Sequence, residues 1–148
     1  MRILSENKKA LFNFRILDKF EAGIVLKGQE VKSIKTRGVN LAGSYIVIKE
    51  NEAYWINAAI SPYQPKNTPS DYNPKRNRKL LLKRSEIKHL IGKSKEKGLT
   101  LIPLKVYIGK RKIKIEFGIA KSKKKINKKE LIRKRETERE IQRRLKTI

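Results

Sequence analysis

A chain of 148 residues has room for one domain with a core of useful size and for an appendage. Its 39 Lys and Arg residues outnumber 14 Asp and Glu residues, and the formal net charge of +25 points to a nucleic acid, an anionic membrane or an acidic protein as partner. The chain has no cysteine, which excludes disulfides, thiolate metal sites and cysteine nucleophiles. No apolar run approaches the roughly 20 residues of a membrane span, and no apolar segment precedes the first charges. We therefore expect a cytoplasmic protein that does not bind membranes.

The first half of the chain shows both strand and helix patterns. Val31 and Ile34 fall on one side of a helix with polar residues elsewhere, which predicts a short helix that Gly38 interrupts. The next apolar run resumes as a strand, and a turn signal at residues 50–51 leads into another strand. The predicted elements are a loosely ordered basic segment over residues 1–13, strand patterning from residue 14 with a short buried run at 23–26, a helix over 28–35, and a hairpin of strands 44–49 and 53–60.

The second half opens with a long loop and contains the clearest hairpin. Residues 61–77 hold four of the five prolines, which predicts an exposed loop. A helix follows, with Ser85 as its expected N-cap and glycines after its apolar stripe as stops. The remaining predicted features are the stripe Ile87, Leu90 and Ile91, the stops Gly92 and Gly98, and a hairpin of strands 104–108 and 113–119 around a turn at 109–111.

The order of these elements indicates a β architecture. In the last hairpin, apolar residues alternate with a set that includes three lysines, so one face is core and the other is basic. Several strands, two short helices and no regular alternation of strand and helix favour an antiparallel barrel over a parallel α/β sheet.

Signatures of catalysis are scarce. The single histidine, His89, lies in a helical pattern without an obvious carboxylate or serine partner, so a helix-surface histidine is the default interpretation. The segment 92–94 (GKS) looks like the end of a phosphate-binding loop, but the glycine that such a loop needs five residues earlier is Ile87. The acidic residues have no spacing typical of a metal site or a hydrolytic pair. We therefore predict no catalytic residue, no metal and no cofactor.

Basic residues recur in four segments, at residues 8–9, 75–84, 105–114 and 121–129. An isolated basic run is most simply a solvated face. Four such runs in one small chain favour nucleic-acid binding, with phosphate contacts supplying affinity and salt sensitivity. Charge alone leaves DNA possible, whereas a barrel with a basic tail that folds on binding suits structured RNA better. Self-repulsion at this charge favours a monomer.

The last 28 residues differ from the rest in composition. Residues 121–148 hold 13 Lys and Arg against 4 Glu and few apolar side chains. Such a segment cannot offset the entropy that it loses on ordering, so we expect it to be disordered when free and helical on a polyanionic partner. The sequence therefore divides into an RNA-binding barrel domain over residues 1–120 and a basic tail over residues 121–148.

A collinear set of motifs extends from about residue 7 into the tail. The main segments are 21–26 (EAGIVL), 28–33 (GQEVKS), 39–41 (VNL), 44–45 (SY), 52–54 (EAY), 60–63 (ISPY), 78–82 (RKLLL), 91–93 (IGK), 96–100 (EKGLT) and 101–104 (LIPL). No single motif is decisive, but as a set they resemble the SmpB family, the SsrA-binding proteins.

The resemblance implies six antiparallel strands closed into a barrel with partial OB-like topology, flanked by short helices. It also implies a non-catalytic adaptor of trans-translation, which binds the tRNA-like domain of tmRNA and delivers it to stalled ribosomes. The tail would become helical in the decoding centre and the empty mRNA channel, against small-subunit rRNA. The alternative function is that of a basic ribosomal or ribosome-assembly protein that binds rRNA.

Roles in tmRNA binding follow from the resemblance position by position. Lysines would contact phosphate, whereas Glu21 would accept a hydrogen bond from a ribose hydroxyl or a base edge, or orient a neighbouring side chain. An internal ion pair is the alternative for Glu21, and a core position is the alternative for Leu81. The implied tmRNA-binding residues are Asn7, Lys8, Lys9, Glu21, Gly23, Gly28, Glu30, Lys32, Ser33, Arg78, Lys79 and Leu81.

The tail departs from the family pattern at several positions. Ile126 and Asn127 stand where the family usually has an aromatic or histidine and then Asp, and Ser122 stands where glycine is common. Lys129 replaces an arginine fork with a point charge. The implied ribosome-binding residues are Lys121, Lys123, Lys124, Lys125, Ile126, Asn127, Lys128, Lys129, Arg133 and Arg135.

Overall fold

The computed structural model describes residues 2–64, 66 and 68–123, and this part of the chain is mainly β. It contains three α-helices, which are Lys8–Asn13 (α1), Gly28–Arg37 (α2) and Arg84–Ser94 (α3). Its seven strands are Arg2–Glu6 (β1), Phe14–Ile24 (β2), Tyr45–Lys49 (β3), Glu52–Ile56 (β4), Arg78–Leu81 (β5), Leu99–Gly109 (β6) and Lys112–Ser122 (β7).

Six of these strands pair in an antiparallel ring. The neighbours in the order β6, β3, β4, β5, β2 and β7 are hydrogen-bonded, and β7 pairs back with β6. The strand β1 lies outside this ring and pairs with the second half of β6, beyond the point at which β3 meets it. The predicted antiparallel β architecture is therefore confirmed.

The largest hydrophobic core of the described residues includes side chains from the strands and two of the helices. Trp55 of β4 and Phe117 of β7 are fully buried, and Ile34 of α2 and Leu90 of α3 belong to the same cluster. Burying a side chain such as Leu, Ile or Phe stabilises a fold by about 1.5–3 kcal/mol. Trp55 also donates from Nε1 to Ser44 Oγ at 3.0 Å, so its polar atom is satisfied inside the core.

Two-residue turns close the two predicted hairpins. Glu50 and Asn51 join β3 to β4 with φ of 53° and 62°, and Lys110 and Arg111 join β6 to β7 with φ of 49° and 66°. Consecutive positive φ values are typical of type I′ turns, whose twist matches that of paired strands. Both hairpin predictions are confirmed, and β6 and β7 are longer than predicted because their pairing continues past the alternating segments.

The structure corrects the prediction at two places in the first half. Residues 2–13 are not loosely ordered: β1 pairs with distant β6, which no local pattern reveals, and α1 is capped by Asn7, whose Oδ1 accepts an N–H of the first turn at 3.2 Å. The strand predicted over 53–60 ends at Ile56, because the backbone of Asn57 adopts a φ of 63°.

The helices α2 and α3 occur where their apolar stripes predict them. The first ends before Gly38, whose φ of 70° suits glycine. The N-cap of the second is Lys83 and not Ser85, because the side chain of Glu86 accepts the Lys83 N–H at 3.2 Å. This helix also continues past the stop predicted at Gly92.

A one-residue bulge bends β2, the strand that carries the candidate site. The register with β7 shifts between Ile16 and Asp18, which leaves Leu17 unpaired and half exposed. A Cβ on Gly118 of β7 would lie 2.8 Å from Ile16 Cγ2 and 2.9 Å from the carbonyl oxygen of Asp18. Glycine is therefore what allows β2 to lie so close to β7 at this point.

Candidate nucleic-acid interface

One open groove is formed by residues of β2, β5, β7 and the start of α3. Gly23 of β2 pairs with Leu81 of β5 on one side and with Lys114 of β7 on the other, which places these residues side by side. Glu21 lies two residues before Gly23 and shares its face of β2. We name this surface the β2 groove, and its lining residues are Lys19, Phe20, Glu21, Ala22, Gly23, Leu81, Leu82, Lys83, Glu86 and Lys114.

Leu81 gives the β2 groove an apolar surface. Its side chain is 57% exposed, whereas its neighbour Leu80 is 2% exposed and belongs to the core. A Cβ on Gly23 would lie 3.4 Å from Leu81 Cδ1, so Leu81 lies over the bare backbone of β2. The alternative that Leu81 is a core residue is therefore wrong, and the alternation along β5 is the reason.

Glu21 is bound to a tyrosine and not to a cation in the described part of the chain. Its Oε1 accepts a hydrogen bond from the hydroxyl of Tyr107, a residue of β6 that the sequence did not single out. Burial, and then the hydrogen bond to Glu21, raise the pKa of Tyr107, so the phenol stays protonated and donates at neutral pH. The internal ion pair considered for Glu21 is not found among the described residues.

Some of the charges near Glu21 form ion pairs and others do not. Glu116 lies directly opposite Glu21 on β7, and it is bound by Lys105 at 3.1 Å and by Lys19 at 3.8 Å. Lys83 and Lys114 also line the β2 groove, and neither forms an ion pair with any described residue. Their charges therefore remain available to phosphate.

Glu30 and Arg78, both expected to face tmRNA, lie inside the protein. Their side chains are 1% and 0% exposed, and Arg78 Nε and Nη2 approach Glu30 Oε2 at 2.8 and 2.7 Å. The other oxygen, Oε1, accepts from Arg76 Nη2 at 2.6 Å and from the Lys27 N–H at 2.8 Å. This arrangement joins the start of α2 to β5 and satisfies both oxygens of a buried carboxylate.

The environment of Glu30 keeps it ionised. Burial by itself raises the pKa of this carboxyl, but hydrogen bonds from Arg76, Lys27 and Arg78 and the charge of Arg78 together hold it below its usual value of 4.5. The Glu30 carboxylate is therefore ionised in the folded protein at neutral pH.

The loop over residues 61–77 is anchored on the same buried group. Arg78 donates to the carbonyl oxygen of Ala58, which precedes the loop, at 2.6 Å, and to that of Pro74, which lies within the loop, at 2.8 Å. Ser33, another residue expected to face tmRNA, is fully buried and donates to the carbonyl of Ser61 at 2.6 Å. The ends of this predicted loop are thus tied to α2 and β5.

Of the three N-terminal residues implied in tmRNA binding, one is buried and two are exposed. Asn7 is 7% exposed, and its Nδ2 donates to the carbonyl of Pro103 at 2.9 Å while its Oδ1 caps α1. Lys8 and Lys9 are exposed on α1. Lys9 lines a separate groove beside Tyr45, so α1 does not contribute to the β2 groove.

Two further predicted residues lie on α2. Gly28 and Lys32 line a groove of their own with Lys27 and Asp71. The Nζ of Lys32 is 5.9 Å from the centroid of the Tyr63 ring, within the range of a cation–π contact.

Lys79 lies on β5, two residues before Leu81 and on the same face. Its Nζ is 2.9 Å from Glu52 Oε1, and both side chains are nearly half exposed. Together with Leu81 it lines a groove that adjoins Arg84 and Lys88 of α3.

The structure thus separates the implied set into exposed and buried residues. Glu21, Gly23 and Leu81 share the β2 groove, and Lys79 is next to it. The side chains of Asn7, Glu30, Ser33 and Arg78 are turned inward. Sequence reasoning missed Tyr107 and Lys19. It included Lys83 and Lys114 only as members of the basic segments 75–84 and 105–114, and not as site residues.

The strand β7 continues past residue 120, where the sequence analysis ends the body. Lys121 and Ser122 belong to β7, and the Lys123 N–H donates to the carbonyl of Asn13 at 3.0 Å. Lys121 and Lys123 are exposed. The other implied ribosome-binding residues lie outside the described residues, and they are Lys124, Lys125, Ile126, Asn127, Lys128, Lys129, Arg133 and Arg135.

Two features are absent from the part of the chain that the structure describes. Within residues 2–64, 66 and 68–123, no helix has the length and apolar character needed to cross a membrane. Over the same ranges, no group of three or more His, Asp or Glu side chains is placed to hold a metal ion.

Comparison with known proteins gives one consistent result. The family described as "SmpB protein" matches residues 4–147. The SsrA-binding protein of Magnetococcus marinus is 49% identical over 146 residues, covering 99% of this chain and 97% of that protein. That of Carboxydothermus hydrogenoformans is 48% identical over 145 residues, covering 98% and 97%.

A solved structure described as "tmRNA-SmpB: a journey to the center of the bacterial ribosome" contains a similar chain. It is 43% identical, with a TM-score of 0.68, and the similarity covers 82% of this chain and 85% of that one. On the family match and the near full-length identity to these relatives, the chain belongs to the SmpB family of SsrA-binding proteins.

Proposed function

We propose that this protein is the RNA-binding adaptor of trans-translation: it binds the tRNA-like domain of tmRNA and delivers it to stalled ribosomes. The observation that carries the proposal is a sequence identity of 48% and 49%, over nearly the full length, to two proteins named SsrA-binding protein. The structural relative, described as a tmRNA-SmpB structure of the bacterial ribosome, supports tmRNA and the ribosome as partners.

The body of the chain offers a surface suited to this role. In the β2 groove, an exposed leucine lies beside a glutamate and lysines without ion-pair partners among the described residues. Lysines supply phosphate contacts, an apolar side chain packs on ribose or base, and a carboxylate accepts from hydroxyl or amino groups. We assign direct contact with tmRNA to Glu21, Gly23, Lys79 and Leu81, with Lys8, Lys9, Gly28 and Lys32 as further contacts.

The buried members of the implied set act differently in this proposal. Glu30 and Arg78 hold α2 against β5. Ser33 holds the start of the loop over residues 61–77, and Asn7 holds α1. A side chain that is less than a tenth exposed and bonded to protein atoms supports the RNA-binding surface from below. We therefore assign these residues to support and not to contact.

The tail takes the second part of the proposed function. Residues from Lys121 onward carry most of their charge as Lys and Arg, so we propose that they enter the decoding centre and the mRNA channel and become helical there. In the same proposal the six-stranded ring is a closed barrel with partial OB-like topology, and the protein acts by binding without catalysis.

Truncation tests the division of labour. The ring closes within the described residues and β7 ends at Ser122, so a chain cut after Lys123 retains every described strand. We expect this variant to bind the tRNA-like domain of tmRNA in the presence of a generic hairpin of equal length, and to fail in tagging on stalled ribosomes. Equal and steeply salt-dependent binding to both RNAs, by the full chain and by the variant, would instead favour a basic rRNA-binding protein.

A further inference from the structure

A hydrogen bond connects Glu21 of β2 to Tyr107 of β6 across β7, the strand that lies between them. On the outer face of the sheet, Tyr107 of β6 pairs with Lys114 of β7, and Glu21 of β2 pairs with Glu116, two residues further along β7. The phenol therefore crosses β7 diagonally to reach the carboxylate, a separation that aromatic and long side chains span. Their hydrogen bond joins β6 to β2, which are not neighbours in the sheet.

The ring of Tyr107 has little freedom to move. The residue is 3% exposed, and the Nζ of Lys105 lies 5.7 Å from the centroid of its ring. A Cβ on Gly109 would lie 3.4 Å from Tyr107 Cε2, so the backbone of this glycine packs close to the ring. A donor that is held in this way fixes the carboxylate to which it is bonded.

The two glutamates on this face have different kinds of partner. Glu116 has Lys105 and Lys19 as ion-pair partners, whereas the partner of Glu21 among the described residues is the neutral Tyr107 hydroxyl on Oε1. No described cation is therefore paired with Glu21, and its Oε2 remains available in the β2 groove. Such an oxygen repels phosphate and accepts hydrogen bonds from neutral donors.

We propose that Tyr107 is the positioning residue for Glu21: it fixes the carboxylate so that its second oxygen accepts a hydrogen bond from a neutral donor of the bound RNA. Neutral donors of RNA include the ribose 2′-hydroxyl and the exocyclic amino groups of the bases. The inference rests on the proposed function, because it assumes that the β2 groove binds the tRNA-like domain. Fixing the acceptor in advance lowers the entropy that is lost when RNA binds.

The test uses the full chain with Tyr107→Phe, which keeps the ring and removes only the donor. We expect its Kd for the tRNA-like domain to rise by about threefold to tenfold, the usual effect of one hydrogen bond. The slope of log Kd against log salt should stay unchanged, because no phosphate contact is lost. In a Glu21→Ala background the same substitution should change Kd by less than about twofold, because the coupled partner is absent.

Ser94→Ala is the control. The Ser94 hydroxyl donates to the carbonyl oxygen of Ile91 at 3.0 Å, so the substitution removes one hydroxyl hydrogen bond at the end of α3, outside the β2 groove. We expect Ser94→Ala to leave Kd within about twofold of the wild type. A second variant, Glu21→Asp, shortens the acceptor by one methylene and should weaken binding even if Tyr107→Phe lowers the unfolding temperature.

RNA substitutions identify the donor. Replacing 2′-hydroxyls by hydrogen, or removing single amino groups, should weaken binding by the wild type at one position and have no effect on Glu21→Ala at that position. The inference is overturned if Tyr107→Phe binds like the wild type, or if it weakens binding equally in the Glu21→Ala background. A wild-type chain that does not prefer the tRNA-like domain to a generic hairpin would instead overturn the proposed function.

Discussion

Two glutamates nine positions apart, Glu21 and Glu30, occur in the same stretch of family motifs and occupy opposite environments. Glu21 is exposed beside a neutral tyrosine hydroxyl, and Glu30 is 1% exposed between two arginines. The first keeps an oxygen for an external donor, whereas both oxygens of the second are bonded to protein groups. A shared motif therefore combines residues that contact a ligand with residues that hold the contacting surface in place.

The largest expected effect is a difference in stability between variants of two adjacent basic residues of β5. Arg78→Met removes the partner of buried Glu30, so we expect a loss of about 3–5 kcal/mol in the free energy of unfolding. Lys79→Met removes a half-exposed side chain and should change stability little while weakening tmRNA binding. Urea unfolding and RNA titration of both variants give the comparison. Equal losses of stability would contradict the assignment of Arg78 to support.

Leu80 and Leu81 allow the same comparison with apolar side chains. Leu80→Ala opens a cavity in the core, so we expect a loss of about 2–5 kcal/mol in stability, with the folded fraction binding RNA normally. Leu81→Ala should unfold at nearly the wild-type denaturant concentration but bind the tRNA-like domain more weakly. If Leu81→Ala were as unstable as Leu80→Ala, the exposed position of Leu81 would be wrong.

The ionised state of Glu30 predicts how stability depends on pH. Because its folded pKa is lowered, its contribution is present above the unfolded value near 4.5 and is lost as pH falls through the folded value. Glu30→Gln should be less stable than the wild type at neutral pH, and the difference should shrink as pH falls below the unfolded pKa of 4.5 and through the lower folded pKa. Unfolding curves over this pH range measure it. A difference that is constant with pH would exclude an ionised Glu30 as the source.

The smallest expected effect concerns the groove lysines. Lys83→Gln and Lys114→Gln should each weaken RNA binding and lower the salt slope by roughly one. Lys49→Gln, outside the β2 groove, is the control and should leave the slope unchanged. Binding isotherms at several salt concentrations measure it. An unchanged slope in both groove variants would show that phosphate does not bind at Lys83 and Lys114.

Local patterns predicted much of the fold. The stripe of Val31 and Ile34 and the alternation in the last hairpin place α2, β6 and β7 correctly, because helix and strand periodicity is a local property. The pairing of β1 with β6 is long-range, so residues 1–13 carry no local sign of it. A single residue such as Asn57 at positive φ is equally invisible to periodicity.

The site was predictable as a set of motifs but not as a surface. Glu30, Ser33 and Arg78 are polar, and each has a partly or fully exposed neighbour in the chain, so their pattern resembles that of a solvated face. Their burial depends on how α2, β5 and the loop over residues 61–77 pack together, and sequence spacing does not encode that packing. Tyr107 reaches Glu21 across β7, and that contact follows from the register of three strands.

A photo-crosslinking measurement tests the central claim, that the β2 groove is where the body binds the tRNA-like domain of tmRNA. A photoreactive phenylalanine would replace Leu81, 57% exposed in the groove, or Ile3, 43% exposed on β1. We predict that the Leu81 variant crosslinks the tRNA-like domain but not a generic hairpin, and that the Ile3 variant crosslinks neither. Equal crosslinking from both positions, or none from Leu81 while the RNA is bound, would contradict the account.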